Sequence, residues 1–162
     1  MLEATQKNVA WRAIPIAGLV AGTAFLLVNA IFNPILYGIE PLFIINYFGS
    51  LVLGTDVLLE TTIPTVIVGL IVHFVLSILF TFIISIVIHR WGLLIGIVGG
   101  GLLGLAIYAI NFYTMTVFFE WMFALNNTVL LISHIVFGAV AGGVYEMLDN
   151  YDEDFIVEAK PV

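Results

Sequence analysis

Four long apolar stretches, residues 14–37, 64–88, 93–117 and 128–147, constrain this chain more than any other feature of it. Each offers roughly 20 residues or more, enough for an α-helix to cross the ~30 Å hydrocarbon core of a bilayer. Inside lipid a backbone must bond to itself, so such stretches fold as helices. Charged residues make up 9% of the 162 and hydrophobic ones 62%. A soluble domain carries roughly 25% charged residues, and one this small could not hide so much apolar surface. The expected fold class is an all-α membrane protein of four transmembrane helices, forming a single domain over residues 1–147.

The formal charge of -7 is unevenly spread. Glu146, Asp149, Asp152, Glu153, Asp154 and Glu158 crowd the C-terminus and read as a solvated acidic tail, about residues 148–162. Four Lys and Arg in total give nucleic-acid binding no electrostatic basis. The chain has no cysteine, which excludes disulfides, thiolate chemistry and iron–sulfur clusters. No cleavable leader or lipidation box is expected.

Orientation follows from the bases. Lys7 and Arg12 precede the first span, Arg90 lies in the turn between the second and third, and Lys160 follows the fourth. All four then share one face, so both termini are expected in the cytoplasm and the chain in the cytoplasmic membrane. Glu40, Asp56, Glu60 and Glu120 fall outside. Residues 38–63 hold an apolar run, 42–53, too short to cross. It reads as an interfacial helix or a shallow re-entrant hairpin on the outer face. Trp11, Trp91 and Trp121 sit at expected boundaries, where indole rings prefer to lie.

Polar residues at membrane depth are expensive and point to function or to inter-helix bonding. Asn29, His73, Asn111 and His134 lie roughly six to nine residues below the outer boundary, about 9–14 Å at ~1.5 Å per residue. They form one polar layer. Two neutral imidazoles from different helices suit a haem b or a proton relay, with the asparagines orienting them. The same four residues also suit hydrogen bonds that fix helix register. No dedicated metal site is expected. With Glu146 counted in the tail, no Asp, Glu, Lys or Arg lies within a span, which argues against an ion-coupled pump. No nucleophile elbow, phosphate loop or zinc-protease motif occurs, so no catalytic residue is assigned.

Gly18, Gly22, Gly96, Gly100, Gly104, Gly138 and Gly142 fall at four-residue spacings that let helix backbones approach closely, within the chain or against a partner. Spans one and three share a pattern, Gly18, Gly22, Asn29 against Gly100, Gly104, Asn111. Spans two and four share His73, Ser77, Thr81 against His134, Gly138, Gly142. Two parallel helix-hairpin repeats would produce this. Phe112, Tyr113, Phe118, Phe119, Trp121 and Phe123 crowd the outer end of span three, as an aromatic belt or a docking surface for a membrane partner.

Several segments carry a resemblance. They are Leu105-Ala-Ile-Tyr-Ala-Ile-Asn111-Phe-Tyr113, Phe118-Phe-Glu-Trp121 and Ser133-His134-Ile-Val-Phe137-Gly138. Gly18-Leu-Val-Ala-Gly22, Leu53-Gly54-Thr-Asp56-Val57-Leu58 and His73-Phe-Val-Leu-Ser77 join them. The chain, apart from its tail, resembles a largely uncharacterised family of small bacterial four-helix membrane proteins, sometimes labelled symporter-like. The resemblance implies a membrane fold and, loosely, association with respiratory or other energy-converting complexes.

The leading expectation is a non-catalytic accessory subunit of a larger membrane complex, packing through Gly-rich helix faces, with other integral membrane subunits and bound lipids as partners. The first rival is a small haem b-binding or proton-relaying subunit using His73 and His134. A further one is a channel or transporter for a small neutral solute.

Overall fold

The computed structural model describes residues 9–158. Lys7 and Lys160, two of the four bases used for orientation, lie outside the described residues, and the side chains of the tail are described only as far as Asp149. The described residues form five α-helices and no strand: α1 Ala13–Tyr37, α2 Phe43–Leu53, α3 Ile63–Ile88, α4 Leu93–Tyr113 and α5 Thr128–Glu158. Short 3-10 turns occupy Thr55–Leu58, Met115–Val117 and Glu120–Leu125. Four segments are long and apolar enough to cross a membrane: Ala13–Tyr37, Ile63–Ile88, Leu93–Val117 and Thr128–Asp149.

Local chemistry sets the helix ends. Gly38 closes α1 in the left-handed region at φ 64, its N–H directed at the carbonyls of Asn33 and Pro34. Thr62 caps α3, its hydroxyl accepting the Thr65 N–H at 3.3 Å, while Pro64 sits in the first turn, where its missing N–H is not needed. Asn127 caps α5 by accepting the Leu130 N–H at 2.9 Å. The turn joining α3 to α4 is tight, with Arg90 at φ 68 and Gly92 at φ 85.

Helix α5 is central. It packs on α1 and α4 along their lengths, α1 packs on α3, and α2 lies on the start of α3. The glycines explain how. A Cβ on Gly100 would meet the Gly138 carbonyl oxygen, one on Gly104 the His134 carbonyl, and one on Gly142 the Gly96 carbonyl. Helices α4 and α5 therefore touch backbone to backbone, which a side chain at any of these positions would forbid. On the other side, a Cβ on Gly18 would lie 2.9 Å from the Ile78 Cα, and one on Gly22 2.7 Å from the Ser77 hydroxyl. The seven glycines singled out in the sequence all pack within the chain.

The apolar run after α1 is helical, and at 11 residues α2 spans only about 16 Å at ~1.5 Å per residue. Close backbone approach at Gly69, against the Ile45 carbonyl, seats it on α3. Asn46 donates to the Thr61 hydroxyl at 2.6 Å, and the Trp121 indole N–H donates to the Ser50 hydroxyl at 2.9 Å.

The acidic tail expected from composition needs a correction at its start. Glu146 is 1% exposed and Asp149 7%, so neither is solvated. The fourth apolar helix runs to Asp149 and thus contains an acid, contrary to the expectation of spans free of Asp and Glu. The reason is helical phase: α5 continues to Glu158, and Tyr145, Glu146 and Asp149 fall on its inward face.

Candidate functional site

The intramembrane polar residues separate into two groups at the end of the bundle that carries α2. The first is a closed chain. The Asn29 amide N–H groups donate to the Phe25 carbonyl at 2.9 Å and the Ser133 hydroxyl at 2.8 Å. Its oxygen accepts from Asn33 at 2.9 Å, and the Asn33 oxygen accepts from Asn127 at 3.2 Å. Asn29 is 1% exposed and fully engaged. It ties α1 to α5, and an amide so completely bonded has nothing left for a ligand.

The second group lines a cavity of about 500 Å³. Here the structure brings together His73, Asn111 and His134, with Ser77 beside them. The imidazole tautomers follow from their partners. His134 Nδ1 lies 2.8 Å from the Leu130 carbonyl, which only accepts, so Nδ1 carries the hydrogen. Its bare Nε2 then accepts from the Asn111 amide at 3.2 Å. His73 Nε2 lies 3.0 Å from the Gly22 carbonyl and likewise carries hydrogen, leaving Nδ1 as an acceptor. The second N–H and the oxygen of Asn111 have no bond to a described residue. Apart from these groups the walls are apolar, built from Phe25, Phe48, Leu76, Ile107, Phe112 and Phe137 among others.

The cavity lies where α3 and α4 part, under α2 and the 3-10 turns, whose Met115 and Met122 contribute to its lining. Leu79 is 50% exposed and Ile110 51%, and both line it, so it opens sideways at the surface of the bundle. A pocket of 300–1,000 Å³ with apolar walls and a few convergent polar atoms is the usual form of a small-molecule site.

The residues present do not fit a haem held between His73 and His134. The phenyl ring of Phe25 packs on both imidazoles, with centroids 5.4 and 5.1 Å away. Both nitrogens of His134 and the Nε2 of His73 are already in hydrogen bonds. Among the described residues, no three His, Asp or Glu side chains gather as a metal-binding group.

A further polar cluster sits at the opposite end, where the described chain begins. His89 caps the C-terminal end of α3 there. Its Nδ1 lies 2.9 Å from the Tyr145 hydroxyl and 3.3 Å from the Asp149 carboxylate. Glu146 accepts the Gly92 N–H at 3.0 Å, clamping the α3–α4 turn onto α5. Sequence reasoning missed this cluster because its acids belong to a run that looks solvated. The helical spacing of Tyr145 and Asp149 was the available signal.

Comparison with known protein families, with curated proteins and with solved structures finds no match.

Proposed function

We propose that the chain is a non-catalytic accessory subunit of a larger assembly in the cytoplasmic membrane, and that its working part is the pocket between α3 and α4. The pocket takes a neutral, mostly apolar molecule with a small hydrogen-bonding head, such as a hydroxyl- or carbonyl-bearing lipid. One observation carries this reading: a laterally open cavity of about 500 Å³ whose polar groups are neutral imidazole, amide and hydroxyl. No Lys or Arg lines it, so an anionic headgroup would find no counter-charge. An apolar ligand arriving from the bilayer meets apolar walls, and its head meets the acceptor on His73 or the free amide atoms of Asn111.

The remainder of the proposal concerns placement. Both termini face the cytoplasm, where Arg12 and Arg90 supply the positive charge. Helix α2 lies at the outer interface. The pairing of Gly18 and Gly22 with α3, and of Gly100 and Gly104 with α5, supports two helix-hairpin repeats. Because the glycine faces are occupied within the chain, partner subunits would meet other surfaces, among them the exposed Tyr113, Phe118 and Phe123.

Purification in mild detergent, followed by native mass spectrometry and solvent extraction, tests both parts. Stoichiometric membrane subunits and one enriched neutral lipid are the expected result. A lone chain with no subunits removes the accessory role, an extract matching bulk lipid removes the pocket role, and a haem absorbance band from the chain itself overturns the site reading.

A further inference from the structure

Helix α3 carries His73, Ser77, Thr81 and Ser85 at strict four-residue intervals, and His89, which caps its C-terminal end, continues the spacing. Residues four apart on an α-helix stand on the same face, one turn above another. Burial confirms the row. His73 is 3% exposed, Ser77 4%, Thr81 and Ser85 0%, and the His89 side chain 6%. The other faces of α3 are apolar, with Ile67, Ile71, Val75 and Leu79 exposed on the lipid side. From His73 to His89 the row runs about 24 Å at ~1.5 Å per residue, most of the ~30 Å thickness of a hydrocarbon core.

Several hydroxyls of these helices bond to a carbonyl of their own helix. Ser77 does so on the His73 carbonyl at 2.8 Å, Ser133 on Val129 at 2.7 Å and Thr23 on Leu19 at 2.8 Å. Thr81 and Ser85 do not. Their hydroxyls are buried without a partner among the described residues, and so is His89 Nε2 beyond them. Buried polar atoms without protein partners are characteristically met by water. Hydroxyls one helical turn apart stand about 5–6 Å from each other, a gap one water closes with two ordinary hydrogen bonds of about 2.8 Å.

We propose that this row is a proton path joining the pocket to the polar cluster at the terminal end of the bundle. His73 takes a proton at Nδ1 and releases the one on Nε2 to the Ser77 hydroxyl, 3.5 Å away. Each hydroxyl or bridging water accepts one proton and passes another on, until one reaches His89 Nε2. There Asp149 and Tyr145 face the ring at Nδ1, Glu146 holds the turn that follows through the Gly92 N–H, and Arg90 is the next residue along. At the pocket end, Phe25, Phe48 and Phe74 enclose the His73 ring, and His134 is the nearest titratable group across Phe25. His89 then gives its Nδ1 proton to the Asp149 carboxylate 3.3 Å away, which releases it to water. Only N–H and O–H bonds form and break, no electrons are transferred, and the net event is one proton in at His73 and one out at Asp149. The row's pocket end rests on the cavity described above; the row itself does not depend on what the cavity binds.

The test uses the purified full chain in liposomes loaded with a pH-sensitive dye, with a potassium diffusion potential drawing protons inward. Wild-type vesicles are expected to acidify several-fold faster than protein-free ones. Thr81→Val and Ser85→Ala should each remove at least nine-tenths of that excess. Thr81→Ser, which restores the hydroxyl, should recover it, and Thr23→Val, on the exposed face of α1, should leave it unchanged. Size-exclusion profiles establish that each variant is folded, and the Thr81→Ser recovery separates proton passage from packing. Wild-type vesicles no leakier than empty ones would overturn the proposal, as would a folded Thr81→Val that conducts like wild type. Loss of the bound lipid with proton passage intact would count against the pocket and leave the row standing.

Discussion

Helix α4 has two long neighbours, and it meets them in opposite ways. Against α5 it is sealed: Gly96, Gly100 and Gly104 face Gly138 and Gly142 so closely that a Cβ on Gly100 or Gly138 would meet carbonyl oxygen. Against α3, its immediate neighbour in sequence, it parts to leave a cavity of about 500 Å³. Both seams are made of apolar helix with scattered glycine. What differs is which residue stands at each inward position. Glycine at every fourth position brings backbones together, whereas Leu76 and Phe80 facing Ile107 and Ile110 hold them apart. In lipid, where there is no hydrophobic gain from squeezing helices together, small residues decide where a bundle is solid and bulky ones where it is hollow.

The largest effect is expected from breaking the sealed seam. Gly138→Leu must displace the Gly100 carbonyl and the Gly104 backbone, neither of which can rotate away. Overpacking costs roughly 1–3 kcal/mol and sometimes more, so this variant should sit at or beyond the upper end. Thermal unfolding in detergent, followed by size exclusion, measures it. A Gly138→Leu protein as stable as wild type would mean that the two helices do not touch.

A smaller loss should follow from unclamping the turn that joins the two seams. Glu146→Ala removes the acceptor of the Gly92 N–H, and a buried donor left unpaired costs about 1–3 kcal/mol. Glu146→Gln keeps an acceptor oxygen and should recover most of that stability in the same assay. Equal destabilisation by both variants would show that the negative charge, rather than the hydrogen bond, is what matters.

The four long helices were legible because lipid imposes one rule on every residue in them, and 20-residue apolar runs have no soluble alternative. The glycine contacts were legible too, since four-residue spacing survives in the letters. Glu146 and Asp149 were not. Local composition placed them among Asp152, Glu153 and Asp154, and nothing in that run says that α5 turns Glu146 inward onto Gly92. The polar layer was half legible. Asn29, His73, Asn111 and His134 do lie in one end of the bundle, but Asn29 spends its amide on Phe25 and Ser133 while Asn111 faces the cavity. Equal depth in a helix does not reveal which way a side chain points across it. The shared Gly, Gly, Asn spacing gives these two asparagines the same place in the sequence; one has its whole amide in hydrogen bonds, and the other bonds His134 and lines the cavity.

The hollow seam yields a gentler prediction. Ile110→Trp puts a larger ring at the cavity mouth, on a side chain already 51% exposed. Retention of the extracted lipid should fall about tenfold, near 1.4 kcal/mol of binding, with the melting temperature nearly unchanged. Unaltered retention would place the lipid elsewhere. Least of all is expected from Gly99→Ala. The nearest atoms to a Cβ there are 3.7 and 3.9 Å away, ordinary contact distances, so the change should stay within about 0.5 kcal/mol. A large loss at Gly99 would erase the contrast between a glycine that is needed and one that is merely present.

The tight turn from His89 to Gly92 has a mechanical consequence. Helices α3 and α4 are fastened at that end by four residues of chain and by the grip of Glu146, and they diverge toward the other. Two stiff rods pinned at one end and free at the other have one soft coordinate, the angle between them. A guest in the cavity would therefore act on a long lever. A small widening at the pinned turn becomes a large one at the mouth, and events at either end are felt at the other without any change in the helices themselves.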